Sequence, residues 1–330
     1  MTAVWKDYWI EYRYNAERLN YYIQVGGDVI YEGIAVKRPN EDVFRFEISD
    51  IVRGYLNSNI TIDRDEFYSN ENTVYHLPNY VATVNVINRD NGALISSTQF
   101  FNSYAYNGDW EIENETEILM DIVPKKVVRN SPFFFSVYDT DYNTLTIEDE
   151  NSREVAIVDY GTTGANVFQV GNTLPLGNYN IYYNGYKYPI EVVSECEYPY
   201  ILYYQNGRGG WSTMPMRGNR QMEVDKINYY TYKRKGSITD FNNPQMVKYQ
   251  TDITQTWRLY TDWMTDEDSS VMNHLLTSQN VFLYDDLITH KLHPVIITNK
   301  EAEYKTFENQ RRKKYYYTID VESANTIKKQ

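Results

Sequence analysis

Tyr198-Pro-Tyr-Ile-Leu-Tyr-Tyr-Gln-Asn-Gly-Arg-Gly-Gly-Trp-Ser-Thr-Met-Pro-Met-Arg-Gly218 concentrates most of the unusual features of this chain. Tyr200 to Gln205 is a run of aromatic and β-branched residues and predicts a strand. Asn206-Gly207-Arg208-Gly209-Gly210 predicts a turn, because glycine supplies positive φ and weakens any strand or helix interior. Trp211 opens a second short run that ends at Met216, so the unit reads as a β-hairpin with a large aromatic beside its turn. Such a hairpin suits packing against another surface. Tyr203, Tyr204, Arg208 and Trp211 are therefore candidate interface anchors, since Tyr, Trp and Arg dominate interface hot spots. The alternative is that Trp211 fills the core of its own domain. Gly-Arg-Gly-Gly also invites a phosphate-loop reading. It lacks a Gly-Lys-Ser/Thr ending and no helical pattern follows, which favours a structural hairpin.

The stretches on the N-terminal side are strand-like throughout. Tyr8 to Tyr14 and Tyr21 to Val25 predict two strands joined by a turn over 15–20, Val29 to Val36 predicts a third, and Val43 to Ile48 alternates with period two. Ser49 to Leu56 carries a capping serine and apolar positions at helical spacing, which predicts a short helix. Thr73–Leu77, Tyr80–Asn88 and Leu94–Phe101 add three strands, the last two bridged by the hairpin signal Asn91-Gly92. Residues 1–120 thus read as an N-terminal β-sandwich. Six short runs between Phe133 and Val193, separated by turn residues, predict an immunoglobulin-like β module over 121–194. Residues 195–330 form a third domain in which strands surround one helix near 266–277, marked by Thr265 as cap and by Val271, Met272, Leu275 and Leu276 on one face.

Bulk properties narrow the function. A length of 330 residues exceeds what one core usually holds. The net charge of -13 argues against nucleic acid or an anionic membrane as the main partner. Acidic residues dominate as far as about Glu197, whereas basic clusters appear later at Lys233-Arg234-Lys235 and Arg311-Arg312-Lys313-Lys314, so copies could stack head to tail. Arg311 and Arg312 are further interface candidates, although a charged turn guarding an edge strand accounts for them equally. The single cysteine, Cys196, excludes an internal disulfide and a multi-cysteine zinc site, and reads as an inert small hydrophobe at a domain junction. The first residues show no secretory pattern, and no window approaches the 18 or more apolar residues of a membrane span. Synthesis in a reducing cytoplasm is the expectation. The 34 tyrosines, about one residue in ten, favour strands and interfaces and would suit either an assembly protein or a carbohydrate binder.

Candidate chemistry is weak. His290 and His293, with Asp285 and Asp286 nearby, could ligate a metal, but three-residue spacing in a hairpin loop need not converge them. Asp139 to Glu150 places oxygens as a calcium loop would, yet Thr144 stands where that loop needs glycine. No Gly-x-Ser-x-Gly occurs, and no carboxylate pair is singled out for glycoside cleavage. No catalytic residue, cofactor or metal is assigned.

Trp257-Arg-Leu-Tyr-Thr-Asp-Trp-Met-Thr-Asp-Glu-Asp268, Leu275 to Ser278, Val281 to Tyr284, Pro294 to Asn299 and Tyr304 to Thr306 resemble the C-terminal segment of virion proteins from crAss-like and related tailed phages of gut bacteria. The hairpin at Tyr203–Trp211 and the stretch Ile48 to Leu56 are similar to the same group, so the resemblance covers most of the chain. It is carried by aromatic and turn residues rather than by a catalytic signature. It implies a mainly β, multi-domain structural subunit of the virion tail, with a C-terminal sheet domain similar to the tail-tube fold. The implied role is a ring or adaptor stacked below the portal, or a hub at the tail tip, closing into a cyclic homo-oligomer. Its partners would be other tail and portal proteins, and DNA would pass an acidic lumen without specific binding. A host-glycan adhesin, a glycan-cleaving module or a distal tail or baseplate protein is the alternative.

Overall fold

In a computed structural model of the chain, the residues described are 2–3, 8–56, 61–77, 81–101, 117–120, 125–139, 144–158, 163–218, 222–233, 246–264, 271–285, 291–299, 316–325 and 327–329. The fold is mainly β, with several mostly antiparallel sheets arranged as a multi-domain protein. The first hundred residues hold β1 (Thr2–Ala3), β2 (Trp9–Arg13), β3 (Arg18–Val25), β4 (Asp28–Val36), β5 (Val43–Glu47), α1 (Ser49–Leu56), α2 (Arg64–Ser69), β6 (Thr73–His76), β7 (Val81–Asn88) and β8 (Leu94–Phe101). One sheet has the order β1-β8-β7-β3-β4, and β2 pairs with β5 in a separate ribbon. The expected neighbours β2 and β3 therefore belong to different sheets. Leu19, Tyr21, Ile23 and Val25 alternate inward from β3 and meet Phe44, Phe46, Val52 and Leu56 from β5 and α1 in one core. The β7–β8 hairpin turns at Gly92, whose φ of 73° is the left-handed region that the Asn-Gly pair predicts.

The middle of the chain is a two-sheet sandwich. Its strands are β9 (Glu117–Ile118), β10 (Lys126–Val128), β11 (Phe133–Asp139), β12 (Leu145–Asp149), β13 (Glu154–Val158), β14 (Gly164–Val170), β15 (Gly177–Tyr183) and β16 (Tyr186–Val193). The outer sheet has the order β10-β16-β15-β12-β13, and the inner sheet the order β6-β14-β11-β9. Phe133, Phe135, Val137, Phe168 and Val170 of the inner sheet pack against Leu145, Ile147, Ile181, Tyr183 and Ile190 of the outer one. The strand at Thr73–His76, expected in the first sandwich, instead pairs with β14 from Asn166↔His76 to Gln169↔Thr73. Helix α2 travels with it and puts Phe67 into the next layer. The first domain therefore does not run unbroken to residue 120.

The last third builds one large sheet from β17 (Tyr200–Gln205), β18 (Trp211–Met216), β19 (Met222–Lys233), β20 (Met246–Tyr260), β21 (Val281–Asp285), β22 (Lys291–Ile297), β23 (Thr318–Ser323) and β24 (Ile327–Lys329). The order is β18-β17-β21-β22-β23-β20-β19, with β24 paired to β20. Helix α3 (Val271–Thr277) lays Val271, Met272 and Leu275 on Tyr200, Leu202, Tyr204, Val281 and Leu283 of that sheet. The opposite face, carrying Ile201, Tyr203 and Tyr284, packs on Phe134, Ala165 and Val167 of the inner middle sheet. The succession is thus outer sheet, inner sheet, C-terminal sheet, helix. β11, β14 and β17 are covered on both faces, which explains why β11 and β17 read as largely apolar runs rather than as alternating ones, whereas β14 buries the polar Asn166 and Gln169 among its apolar residues. The strand expected at Ala302–Phe307 and the cap at Thr265 lie outside the described residues.

Candidate assembly site

The hairpin that opens the sequence argument lies inside the molecule. β17 and β18 pair from Tyr200↔Met216 to Gln205↔Trp211, as the sequence predicts. Trp211 is fully buried, stacked on Phe282 with 5.7 Å between ring centroids and edge-on to Phe134 at 6.2 Å. Tyr203 is also fully buried and donates its hydroxyl proton to the Pro132 carbonyl at 2.6 Å. Tyr204 points to the helix side of the sheet and is buried as well. These three side chains therefore anchor contacts within one chain, because a side chain without accessible surface cannot dock a partner. The expectation of an intermolecular interface at these three positions is corrected accordingly. Arg208 is half-buried and donates to the Ile118 carbonyl at 3.2 Å, again within the chain. Arg311 and Arg312 lie outside the described residues.

The turn is clamped from two sides. The Asn206 side-chain amide donates to the Leu119 carbonyl at 2.7 Å and to Ser212 Oγ at 2.8 Å. A Cβ on Gly210 would lie 2.3 Å from the Leu119 carbonyl oxygen, and one on Gly207 would lie 2.7 Å from the His274 ring on α3. Of the three glycines, Gly209 alone takes a positive φ, at 82°. The other two are required for close approach. The free edge of β18 is closed against β11 of the middle sandwich by one side chain from each strand. Trp211 N–H donates to Ser136 Oγ at 2.7 Å, Ser136 Oγ donates to the Trp211 carbonyl at 2.8 Å, and Phe134 N–H donates to Thr213 Oγ at 2.8 Å.

A polar cluster ties the same two units together elsewhere. Lys126 of β10 pairs with Asp262, which follows β20, and also donates to the Tyr198 hydroxyl at 2.9 Å; that hydroxyl donates to Asp262 at 2.9 Å. Arg217 approaches the second Asp262 oxygen at 3.3 Å. Burial alone would lower the pKa of the Lys126 ammonium, but its hydrogen bonds to Asp262 and Tyr198 outweigh that and raise it. Burial likewise pushes the Asp262 carboxyl up, yet hydrogen bonds from Lys126, the Trp263 N–H and Tyr198 hold it below the usual carboxylate range. Burial raises the Tyr198 phenol. All three groups are locked in their ordinary neutral-pH states, which suits a clamp and gives no proton to exchange near pH 7.

The exposed aromatics are elsewhere. Beyond Thr251, the β19–β20 hairpin has no third strand beside it among the described residues and stands as a two-stranded arm. Tyr229, Tyr230, Tyr232, Met246 and Tyr249 are all exposed there, with Tyr229 at 65%, and Ile227 is exposed just before the arm, opposite Ile253. Tyr249 sits at the bulge between Tyr230 and Thr231, within 6.2 Å of Tyr230 and 6.1 Å of Tyr232, ring centre to ring centre. On the other face, Lys248 Nζ lies 5.3 Å over the Tyr229 ring. The sequence reading placed strands here but singled out none of these residues. The available signal was alternation without a polar face, in Ile227-Asn-Tyr-Tyr-Thr-Tyr232.

Residues considered for chemistry are engaged structurally. Asp139 is buried against the Tyr183 hydroxyl, and Asp149 accepts from the Asn151 and Arg153 amides in its turn. His293 packs beside Trp257, while Asp286 and His290 lie outside the described residues. Cys196 is exposed in the turn between the middle sandwich and β17 rather than packed as a hydrophobe. Among the described residues, no three His, Cys, Asp or Glu side chains converge as metal ligands, and no helix is long and apolar enough to cross a membrane.

No known protein family matches the chain, and no curated protein does. Among solved structures, the chain is similar to one titled "Structure of surface layer protein SbsC, domains 4-9", at 10% sequence identity and a TM-score of 0.19. That alignment covers 82% of this chain and 54% of the other, so the chain spans about half the length of that structure.

Proposed function

We propose that this chain is a structural subunit of a phage virion tail, a ring or adaptor between portal and tail or at the tail hub, that works by assembling rather than by catalysis. The observation that carries the reading is the β19–β20 arm, which holds exposed Met and Tyr side chains on both faces of a two-stranded ribbon. An isolated ribbon of this kind is marginally stable in water, and interface cores are enriched in Tyr and Met. The resemblance of the sequence to crAss-like phage virion proteins points the same way. On this reading the partners are further copies of the chain and neighbouring tail or portal proteins, DNA passes without specific binding, and the protein resides in the virion tail after synthesis in the host cytoplasm.

Sedimentation velocity over a wide concentration range, with negative-stain imaging of the associated fraction, tests the proposal. Discrete cyclic particles are expected. A strict monomer that binds a glycan array would overturn it and favour a host-glycan adhesin, since exposed tyrosine faces also suit sugar rings.

A further inference from the structure

Two strand edges on different units are complementary. β19 is the last strand of the C-terminal sheet, and β13 the last strand of the outer middle sheet. Along the arm, 229–233 and 246–251 hold two lysines, Lys233 and Lys248, and no carboxylate. One arm face carries Tyr229 and Lys248, with Met246 two residues along in the same phase. Lys233 ends β19 opposite Met246. At β13 the chemistry is inverted. Glu148 and Glu154 stand directly opposite each other across the β12–β13 pair, at a register shift, and neither makes an ion pair among the described residues. Like charges at directly opposed positions destabilise a sheet, so a cation placed beside this pair would be favourable. Val155 and Ile157 on the same strand are exposed, at 38% and 44%.

The geometry points to an edge-to-edge contact between two copies of this chain, in which the β19 edge of one copy docks on the β13 edge of the next. Lys248 of one copy meets Glu148 and Glu154 of the other, while Tyr229 and Met246 cover Val155 and Ile157. The Asn72 side-chain amide donates to the Ile157 carbonyl at 3.4 Å and covers that end of β13, so backbone pairing is confined to the Glu154 end of the strand, where the opposed charges set the direction. Because the two surfaces differ, the contact is heterologous and closes into a ring when its rotation permits. This inference rests on the assembly reading above and names the surfaces that such assembly would use.

Charge reversal with rescue tests it, read by sedimentation velocity on the full chain. K248E and E148K/E154K should each raise the dissociation constant at least about tenfold, since like-charge juxtaposition is strongly unfavourable. The three substitutions combined should bring it back toward the wild-type value. None of these positions is buried, and matched circular dichroism melts identify any variant that has unfolded. Zero-length amine–carboxyl cross-linking of the associated wild-type protein, mixed from two isotopic forms, gives an independent readout without substitution. A between-copy link from Lys248 to Glu148 or Glu154 supports the contact, and its absence overturns it. Association that ignores both reversals overturns this contact while leaving the assembly reading intact. A monomer whose sugar binding disappears in K248E overturns both and assigns the arm to glycan.

Discussion

Replacing Ser136 by alanine isolates the seam between the middle sandwich and the C-terminal sheet. Ser136 is fully buried, and its hydroxyl accepts from the Trp211 N–H at 2.7 Å and donates to the Trp211 carbonyl at 2.8 Å. Ser136→Ala removes one oxygen and little volume, so the cost is almost wholly polar. Two hydrogen bonds of about 1 kcal/mol each are lost, and stranding a buried donor and acceptor adds about 1–3 kcal/mol apiece where nothing else reaches them. Partial relaxation brings the expected loss to roughly 3 kcal/mol, a factor of about 150 in the local opening equilibrium. Native-state hydrogen exchange on peptides covering 206–216 is the direct assay, since the Trp211 amide reports opening of this seam. Protection there should fall by about two orders of magnitude, while β3 and β7 of the N-terminal unit stay unchanged. A loss below about 0.5 kcal/mol, or one spread evenly over all units, would refute the idea that this hydroxyl closes the β18 edge.

Gly210→Ala should also destabilise, because its methyl group would meet backbone at 2.3 Å; an overpacking cost of about 1–3 kcal/mol is expected in urea unfolding. Trp211→Phe should be tolerated far better than Trp211→Ala, since the indole Nε1 has no hydrogen-bond partner among the described residues; the alanine variant should lose about 3–5 kcal/mol, read by thermal melting. The lowered pKa of Asp262 means that its contribution is present above the unfolded value of 3.8 and is lost as pH falls through the lower folded value. The raised values of Lys126 and Tyr198 place their contributions below 10.5 and 10.0, with loss at higher pH. Stability from this cluster should therefore be flat between about pH 5 and 9 and fall on both sides, and Asp262→Asn should lessen the acid-side fall in melts across pH.

Local elements were legible where local physics decides them. Val43 to Glu47 alternates because one face is buried, Asn91-Gly92 turns a hairpin, and Ser49 to Leu56 forms the expected helix. Helix α2 went unread although Asp63 caps it, accepting from the amides of Asp65 and Glu66. Its six residues are too few to show a period. Sheet membership was not legible either. Thr-Val-Tyr-His has the same local preference beside β14 as beside β7, and the choice is made by packing of Phe67 and Leu77 far away in sequence. Trp211, Tyr203 and Tyr204 were expected at an interface between molecules and instead pack within the chain, because aromatic composition does not say whether the surface opposite belongs to the same chain. The arm was passed over because its tyrosines resemble those of buried strands; what separates them is the lack of a third strand, which only topology reveals.

The loan of β6 to a neighbouring sheet changes what can be cut away. Phe67 fills a socket between Tyr203 and Tyr284, with ring centroids 5.2 Å and 5.4 Å apart, and the Leu292 amide donates to the Tyr68 hydroxyl at 3.1 Å. Trimming the polypeptide to begin at residue 121 would bare the flank of β14 and empty that socket. The N-terminal portion is therefore stitched to the remainder by an out-and-back excursion rather than tethered by one leash, and any shortened version should retain 61–77 in some form if the rest is to stay folded.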